Sequence, residues 1–299
     1  MAPLDSDPLT HDHAMRLARS VARRHGIKEP VQPLRTGVNH VFRAGDVVVR
    51  VAPPSTDVSS QVRLARWLAS EGFSVAAPLG DAEQVGGANV SLWQWVQADE
   101  GRPIDFRQLG EVIARLHQVE PARLEGVVAL PFCGDAAWLA VEQNLLRAEA
   151  ANLVSGDGLA ALRRACVGLR GWPDRARRDG LVVCHGDIHP QNVLMRGKDA
   201  VIIDWDSICL GPRAWDHAPL LTWSNRWGGA PEAYPAFARG YGADLRDAPL
   251  AQQLASVRLL APTINAIIKG ASDPSYAAEA RTRMRYWLGE PDAPAWTPL

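Results

Sequence analysis

The sequence predicts an α+β protein with a small β-rich N-terminal lobe and a larger α-helical C-terminal lobe. Short β-branched and aromatic runs, separated by turn residues, crowd into the first part of the chain. Helical 3–4 spacing of apolar residues dominates the remainder, where one short β-hairpin interrupts it. We therefore expect a domain at residues 1–95 and a second at residues 96–299, joined near Trp95 to Glu100.

The N-terminal elements follow from local patterns. Thr10 can cap a helix that runs to about Gly26. VQPLRTGVNHVFRAGDVVVRVAP, residues 31–53, then predicts three strands with two turns between them. A helix over residues 59–72 and an alternating aromatic strand over residues 88–96 complete this lobe.

The C-terminal elements are mostly helices. Asp105 can cap the first of them, FRQLGEVIARLHQV, whose apolar residues lie on one face. Further helical patterns cover residues 136–150, 158–169, 215–223, 231–241, 250–269 and 276–287. No internal repeat and no low-complexity segment interrupts this series.

Composition excludes several classes of protein. A net charge of −1 favours neither a nucleic-acid partner nor a membrane-surface partner. The 4 cysteines are scattered without a CxxC pair, which favours reduced thiols over a zinc site or a disulfide framework. No apolar run approaches the roughly 20 residues that span a bilayer. The first residues, MAPLDSDPLTHDH, lack a signal-peptide pattern, so we expect a cytoplasmic protein. It is expected to be a monomer or a homodimer.

The stretch CHGDIHPQNVLMRGKDAVIIDWD, from Cys184 to Asp206, carries the chemistry. Two apolar strands flank a turn rich in Gly and Asp, so they form a hairpin with Asn192 and Asp204 at its open end. An amide oxygen and a carboxylate suit Mg²⁺, which binds through one or two side chains plus substrate phosphates. Asp187, in a loop before the hairpin, is then available to accept a proton or orient a hydroxyl.

HGDIHPQN followed by IIDWD resembles the aminoglycoside phosphotransferase and choline kinase family, a branch of the protein-kinase-like fold. The resemblance covers the whole chain and implies a bilobal kinase-like architecture. It implies that Asp187 is the catalytic base or the hydroxyl-positioning carboxylate, and that Asn192 and Asp204 hold Mg²⁺. His189 stands where a phosphate-contacting lysine is often found, and Asp216 matches a residue that braces the catalytic loop.

The phosphate-binding side departs from the family pattern. The chain has neither GxxxxGK[ST] nor GxGxxG, but LRTGVNHVFR resembles the family's looser phosphate-covering turn, with Gly37 and Asn39 facing the nucleotide. Arg50 stands where the third strand usually carries a lysine for the α- and β-phosphates. The glutamate that usually pairs with this lysine is replaced by Gln61, which supplies no counter-charge; Glu71 or Asp57 could substitute.

The remaining site residues are also implied by the resemblance. Backbone groups from Gln94 to Val96 would meet the adenine edge of ATP or GTP. Asp206 would lie behind the metal or reach the substrate, and Trp223 and Trp227 are candidates for lining the acceptor site. From Ser207 onward 8 acids face 9 bases, counted along the sequence, which does not favour a polycationic acceptor.

The sequence therefore predicts a small-molecule O-phosphotransferase that uses Mg²⁺ and moves the γ-phosphate of ATP or GTP to a hydroxyl of an antibiotic-like acceptor. Such an enzyme would serve antibiotic resistance or self-resistance. The alternatives are a metabolite kinase for choline, homoserine or a sugar, and a catalytically silent nucleotide-binding module. A metal-dependent hydrolase is disfavoured because the sequence has no dense His/Asp ligand cluster.

Overall fold

The structure is a computed structural model that describes residues 9–35, 39–136 and 139–297. In chain order its helices and strands are α1 (His11–Arg24), β1 (Gln32–Arg35), β2 (His40–Ala44), β3 (Val47–Ala52), α2 (Val58–Ser70), β4 (Glu83–Val85), β5 (Ala88–Gln94), α3 (Phe106–Leu116), α4 (Val141–Ala150), α5 (Gly156–Leu169), α6 (Trp172–Arg178), β6 (Val182–Cys184), β7 (Val193–Arg196), β8 (Asp199–Ile202), β9 (Cys209–Gly211), α7 (Ala214–Leu221), α8 (Trp223–Arg226), α9 (Ala233–Tyr241), α10 (Pro249–Gly270) and α11 (Pro274–Trp287). Among the described helices none is long and apolar enough to cross a membrane.

The chain divides into two compact units that alternate along the sequence. Unit 1 comprises Met1–Ile104, Leu124–Ala129 and Gln191–Asp206, and unit 2 comprises Asp105–Arg123, Leu130–Pro190 and Ser207–Leu299. The sequence predicts two continuous domains that meet at residue 95, whereas the predicted hairpin here belongs to unit 1. It does so because it bonds to that unit: the amide of Ile202 donates to the carbonyl of Ser74 at 3.2 Å.

The main sheet of unit 1 is antiparallel, with strand order β1-β2-β3-β5-β4. Gly45, with φ of +61°, makes the tight turn between β2 and β3, where a left-handed backbone suits glycine. Helix α1 packs on this sheet and begins at Thr10, whose side chain accepts a hydrogen bond from the amide of His13. The apolar core between them consists of Ala14, Leu17, Ala18, Val21, Phe42, Val49, Val51, Ala88, Val90 and Leu92. Burying each of the larger side chains stabilises the unit by about 1.5–3 kcal/mol.

The predicted hairpin is confirmed. Strands β7 and β8 pair antiparallel, from Val193 opposite Ile202 to Arg196 opposite Asp199. The turn between them contains Gly197, with φ of +56°. The amide of Asp99 donates to the carbonyl of Met195 at 2.8 Å, which ties β7 to the segment that follows β5.

In the part of unit 2 that the structure describes, the regular elements are helices and the short strand pair β6–β9. Its longest helix, α10, contributes Leu254, Leu260 and Ile264 to the core. Helices α3 and α9 approach closely where glycine leaves room: a Cβ atom on Gly110 would lie 2.1 Å from the carbonyl oxygen of Phe237. The small antiparallel sheet and the larger helical unit together confirm the predicted α+β class.

Candidate active site

The open end of the hairpin brings Asn192 and Asp204 to the same end of β7 and β8. The carbonyl of Asn192 accepts a hydrogen bond from the amide of Ile203 at 3.0 Å, which continues the strand ladder to this end. Asn192 is buried and ends the 3-10 turn Pro190–Asn192. Asp204 has a left-handed backbone with φ of +64°, a region that Asp and Asn enter more readily than most residues.

Arg35 lies against the carboxylate of Asp204. Its Nη1 atom is 3.0 Å from the Oδ2 atom of Asp204, and the two side chains are 64% and 23% exposed. The carboxylate of Asp204 is therefore already paired with a positive charge. Asn192 and Asp204 offer hard oxygen atoms, the ligands that Mg²⁺ prefers, so this pair fits the predicted metal.

Arg50, Asn39 and Asp206 come together next to this hairpin end. Arg50, on β3, pairs through its Nη2 atom with the Oδ2 atom of Asp206. The Nδ2 atom of Asn39 donates to the same oxygen at 2.9 Å. Arg50 and Asn39, both predicted to bind the nucleotide, therefore share the carboxylate of Asp206. The sequence analysis predicts that Asp206 lies behind the metal or reaches the acceptor.

The acids expected to balance Arg50 from α2 are arranged differently. Asp57 caps α2, accepting from the amide of Ser60 at 3.0 Å and from its hydroxyl at 2.5 Å. The hydrogen bonds from Ser60 lower the pKa of Asp57. Gln61 is neutral, and its Oε1 atom is buried with no hydrogen-bond partner among the residues that the structure describes. The counter-charge of Arg50 is supplied by Asp206 instead.

In unit 2, Asp187 is held by a buried arginine that the sequence analysis missed. The Nη2 atom of Arg258, on α10, bonds the Oδ1 atom of Asp187, and its Nη1 atom donates to the carbonyl of Gly186 at 3.1 Å. On the other side, the Nε2 atom of His189 lies 3.4 Å from the Oδ2 atom of Asp187. The side chain of Asp187 remains 36% exposed, while that of Arg258 is only 8% exposed.

These contacts keep Asp187 ionised. Burial raises the pKa of its carboxyl, but the charge of Arg258 and the hydrogen bond from His189 outweigh burial and hold the pKa well below its usual range. Asp187 is therefore an anion at neutral pH, able to accept a hydrogen bond from a hydroxyl but a weak proton acceptor.

Asp216 stabilises the loop that carries Asp187, as the family resemblance implies. Its carboxylate is fully buried and accepts from the backbone amides of His185 and Gly186, each at 2.8 Å. The Nε2 atom of His117 lies 3.2 Å from the same carboxylate. Gly186 has φ of +87°, and a Cβ atom there would lie 2.0 Å from the carbonyl oxygen of Ser207, so the loop requires glycine.

His117, Cys184 and Asp216 place ligand-type atoms within 4.8 Å of one another. Both carboxylate oxygens of Asp216 are already used by backbone amides, however, and one also meets His117. Burial raises the pKa of the Cys184 thiol well above its usual value, which disfavours the thiolate that a metal requires. This cluster is a hydrogen-bonded support for the loop.

The predicted adenine-contacting segment lies at the end of β5. The amide of Gln94 donates to the carbonyl of Ala77, and that of Trp95 to the carbonyl of Asp46, each at 2.8 Å. Those two N–H groups are therefore engaged within unit 1. Val96, the last residue of the predicted segment, is buried.

The two tryptophans predicted near the acceptor are half-buried in unit 2. The ring of Trp227 meets Trp296 edge-on, with 5.4 Å between centroids. The guanidinium of Arg283 lies 5.1 Å from the centre of the Trp227 ring. Trp227 is thus used in packing the C-terminal segment, and Trp223 begins α8.

Gly37 lies outside the described residues. Among the described residues, Arg35 and Arg258 each contact a predicted site acid, and the sequence analysis assigned neither of them. Arg35 had a weak signal, since it directly precedes Thr36 and Gly37 in the segment that resembles the family's phosphate-covering turn. Arg258 had none, because 71 residues separate it from Asp187 and no motif surrounds it.

Three comparisons with known proteins bear on this site. The model of the phosphotransferase enzyme family (APH) matches residues 30–253. No curated protein matches the sequence. Spectinomycin phosphotransferase APH(9)-Ia, in complex with ADP and spectinomycin, is 17% identical with a TM-score of 0.67, over 93% of this chain and 94% of that chain.

Two further solved structures are similar. Amicoumacin kinase hAmiN, in complex with AMP-PNP, Ca²⁺ and Ami, is 16% identical with a TM-score of 0.67, covering 97% of this chain and 98% of its own. A choline/ethanolamine kinase family protein from Mesorhizobium loti is 21% identical with a TM-score of 0.64, over 94% and 95% of the two chains. At these identities the likeness confirms the kinase-like fold predicted from the sequence, and the family model confirms the predicted family resemblance.

Proposed function

The chain belongs to the phosphotransferase enzyme family, and from this premise we propose that it moves the γ-phosphate of ATP or GTP to a hydroxyl of a small antibiotic-like acceptor. The predicted enzyme class, a phosphotransferase with an alcohol group as acceptor, is confirmed by the family match. The donor, the metal, the acceptor and the role of each residue belong to the proposal. Its nucleotide donor is a metabolite of the cytoplasm, where we place its activity.

One observation carries the proposal: the open end of the hairpin presents Asn192 and Asp204 together. These two side chains would hold Mg²⁺ through the amide oxygen and the carboxylate. When bound, the metal neutralises charge on the phosphate oxygens during transfer. The proposal is supported by hAmiN, which was solved with AMP-PNP and Ca²⁺.

The donor side of the proposal rests on unit 1. Arg50 would bind phosphate oxygens, because a guanidinium offers several N–H donors in a planar fork. Gly37 and Asn39, in the phosphate-covering turn and directly after it, would approach the same phosphates. The backbone from Gln94 to Val96 would contact the purine. The complex of APH(9)-Ia with ADP supports a nucleotide donor.

On the acceptor side, Asp187 would accept a hydrogen bond from the attacking hydroxyl and orient it. Its lowered pKa favours this positioning role over proton abstraction, because an efficient general base has a pKa near the working pH. His189, 3.4 Å away, would contact the transferring phosphoryl group. Orientation alone can supply a large part of the rate acceleration of phosphoryl transfer.

The proposed acceptor is a neutral or weakly charged antibiotic. Arg258 places a positive charge directly behind Asp187, and acids and bases are nearly balanced from Ser207 onward. Neither feature makes the strongly negative surface that a polycation requires. Spectinomycin and Ami, bound in the similar structures, are the first compounds to test. Trp223 and Trp227 remain our proposal for the acceptor wall.

The decisive experiment replaces Asp187 with Asn and measures ADP release with Mg²⁺-ATP or Mg²⁺-GTP over a panel of hydroxylated antibiotics. We expect turnover to fall by roughly 100-fold or more, equivalent to about 2.7 kcal/mol. Asp174→Asn, which removes an exposed carboxylate from α6, is the matched control. Equal turnover of the Asp187→Asn variant and the wild type would remove Asp187 from the mechanism.

A metabolite kinase is the second candidate, favoured by the similarity to the choline/ethanolamine kinase family protein. Choline, ethanolamine and homoserine in the same panel separate the two activities, because each would give ADP release only with its own acceptor. A catalytically silent module would bind nucleotide and release no ADP with any acceptor. The pairing of Arg50 with Asp206 weakens that alternative, because it supplies the counter-charge that Gln61 lacks.

A further inference from the structure

We propose that Asp206 is a positioning residue of the donor site, which fixes the guanidinium of Arg50 for the phosphates in place of an acid on α2. This inference rests on the proposed nucleotide-dependent function. It changes the expected role of Asp206 from acceptor contact to donor alignment. The pairing with Asp206 also explains how the guanidinium of Arg50 is held in one position although Gln61 is neutral.

The burial of Arg50 requires a counter-charge. Its side chain is only 12% exposed, and it lies on a strand that pairs with β2 on one side and β5 on the other. A guanidinium keeps its charge at ordinary pH, and burying a charge is costly unless it is paired and hydrogen-bonded. The carboxylate of Asp206 meets this requirement within unit 1.

Asp57 and Gln61, at the start of α2, do not supply a counter-charge for Arg50. Asp57 is committed to the first turn of its helix through Ser60. Gln61 offers a neutral amide, and its Oε1 atom is buried without a hydrogen-bond partner in the described parts of the chain. A carbonyl oxygen within reach of a guanidinium would not stay unbonded. The geometry therefore places the partner of Arg50 on the segment that follows β8.

Asn39 gives Asp206 a second connection to the phosphate-binding side. Its Nδ2 atom donates at 2.9 Å to the Oδ2 atom that also meets Arg50. The Oδ1 atom of Asn39 is buried and lacks a hydrogen-bond partner among described residues. Asn39 belongs to the segment that resembles the family's phosphate-covering turn, so one carboxylate holds both the cation of β3 and a residue of that segment.

The position of Asp206 in the chain links this pair to the proposed metal site. Asp206 follows Asp204 by two residues, and the indole of the intervening Trp205 is anchored by a 3.0 Å hydrogen bond to the carbonyl of Ile202. The backbone between the two acids is therefore held in place. The side chain of Asp206 is 27% exposed. A nucleotide phosphate bound by Arg50 would therefore lie close to both the guanidinium of Arg50 and the carboxylate of Asp206.

The test measures nucleotide binding, which does not require a known acceptor. Isothermal titration of ADP and AMP-PNP, with and without Mg²⁺, is compared for the wild type, Asp206→Asn, Arg50→Gln and the double variant. We expect each single variant to raise the dissociation constant about 10-fold. We expect the double variant to bind no more weakly than Arg50→Gln alone, because paired residues are non-additive.

Asp81→Asn is the matched control, since it removes the carboxylate from an exposed Arg66–Asp81 pair in the same unit. Its nucleotide affinity should equal that of the wild type. Thermal melting of every variant separates affinity from stability. An unchanged nucleotide affinity of Asp206→Asn, with or without a lowered melting temperature, would overturn the inference, as would additive losses in the double variant.

Should Asp206→Asn fail to fold, the charge-conserving variants Asp206→Glu and Arg50→Lys carry the test. Both should fold and bind AMP-PNP several-fold more weakly than the wild type, because the pair keeps its charge and loses its geometry. Wild-type affinity in both would contradict the proposal. A wild-type protein that binds no nucleotide would overturn the proposed function as well, whereas normal binding with insensitive variants overturns this inference alone.

Discussion

Asp204 in unit 1 and Asp216 in unit 2 are held in different ways. Asp204 meets Arg35, whose side chain is 64% exposed and can leave without disturbing the core. Asp216 is fully buried and is held by two backbone amides and a buried histidine. The first arrangement can exchange one cation for another, while the second keeps the carboxylate in a fixed place.

Asp187 combines features of both. Its carboxylate reaches solvent, as a group that meets a substrate must, yet the arginine behind it is buried. Burial raises the pKa values of Asp187 and Asp216, but hydrogen bonds and nearby positive charge lower both overall. The difference teaches that the exposed ion pair of Asp204 can rearrange at little cost, whereas the buried partners of Asp187 and Asp216 hold those two carboxylates in place.

The largest effect should come from breaking the fixed arrangement at Asp216. Asp216→Asn replaces the buried carboxylate that accepts three hydrogen bonds and leaves a backbone amide or His117 poorly bonded, so we expect about 3–5 kcal/mol of destabilisation in urea unfolding, because each hydrogen bond to a charged group contributes about 1.5–3 kcal/mol. Asp135→Asn, at an exposed pair with Arg177, is the control and should change stability by less than about 0.5 kcal/mol. A loss as small as that of the control would show that the loop does not depend on this carboxylate.

The same variant predicts a pH dependence. Because the folded-state pKa of Asp216 is lowered, its contribution to stability is present above the unfolded-state value of about 3.9 and is lost as pH falls through the folded-state value. The stability difference between the wild type and Asp216→Asn should therefore shrink in acid. Urea unfolding between neutral pH and the acid limit measures this, and a constant difference would contradict it.

A smaller effect is expected at Arg258. Arg258→Gln removes the cation behind Asp187 and should cost about 1.5–3 kcal/mol, the range for hydrogen bonds to charged groups. The pKa of Asp187 should rise in this variant. On acidification, phosphotransfer by the variant should therefore begin to fall at a higher pH than phosphotransfer by the wild type. Arg258→Lys should restore most of the wild-type profile. Coincident pH–rate profiles for the wild type and Arg258→Gln would exclude this role.

The smallest effect on stability should come from Arg35. Since this pair is exposed, Arg35→Gln should change unfolding free energy by less than about 1 kcal/mol. Without nucleotide, however, the variant should bind Mn²⁺ a few-fold more tightly, because the metal no longer displaces a guanidinium from Asp204. Titration calorimetry of the nucleotide-free protein provides the measurement, with Arg66→Gln as control. Unchanged or weaker Mn²⁺ binding would show that Arg35 does not compete at this carboxylate.

Much of the fold was predictable because its signals are local. Caps at Thr10 and Asp105, and the turn between β7 and β8, depend on a few neighbouring residues, and the structure confirms them. The strands β6 and β9 were missed because each has three residues, too few to show periodicity, and they pair across a long stretch of chain.

Two helical predictions also needed correction. The helix predicted over residues 136–150 corresponds to α4, which begins at Val141, and a 3-10 turn at Cys133–Asp135 comes earlier in the chain. Helix α6 was missed because Pro173 and a run of arginines obscure its pattern. Proline is nevertheless acceptable there, since the first turn of a helix does not need its N–H group.

The site was predictable only in part. Residue spacing placed Asn192 and Asp204 at one end of a hairpin, because strand pairing is itself a local rule. Which cation meets which carboxylate depended on side chains distant in sequence: Arg50 and Asp206 are 156 residues apart. No sequence pattern specifies such a contact, so the partner of Arg50 was sought on α2.

The backbone at Asp204 limits what can replace this residue. With φ of +64°, the position favours Asp, Asn and Gly, and a longer or β-branched side chain would add backbone strain of order 1–3 kcal/mol to any loss of chemistry. In a saturation library at this codon, Asn and Gly should dominate the variants that fold but lack activity. Glutamate, usually regarded as the nearest relative of aspartate, should be among the poorly accumulated ones.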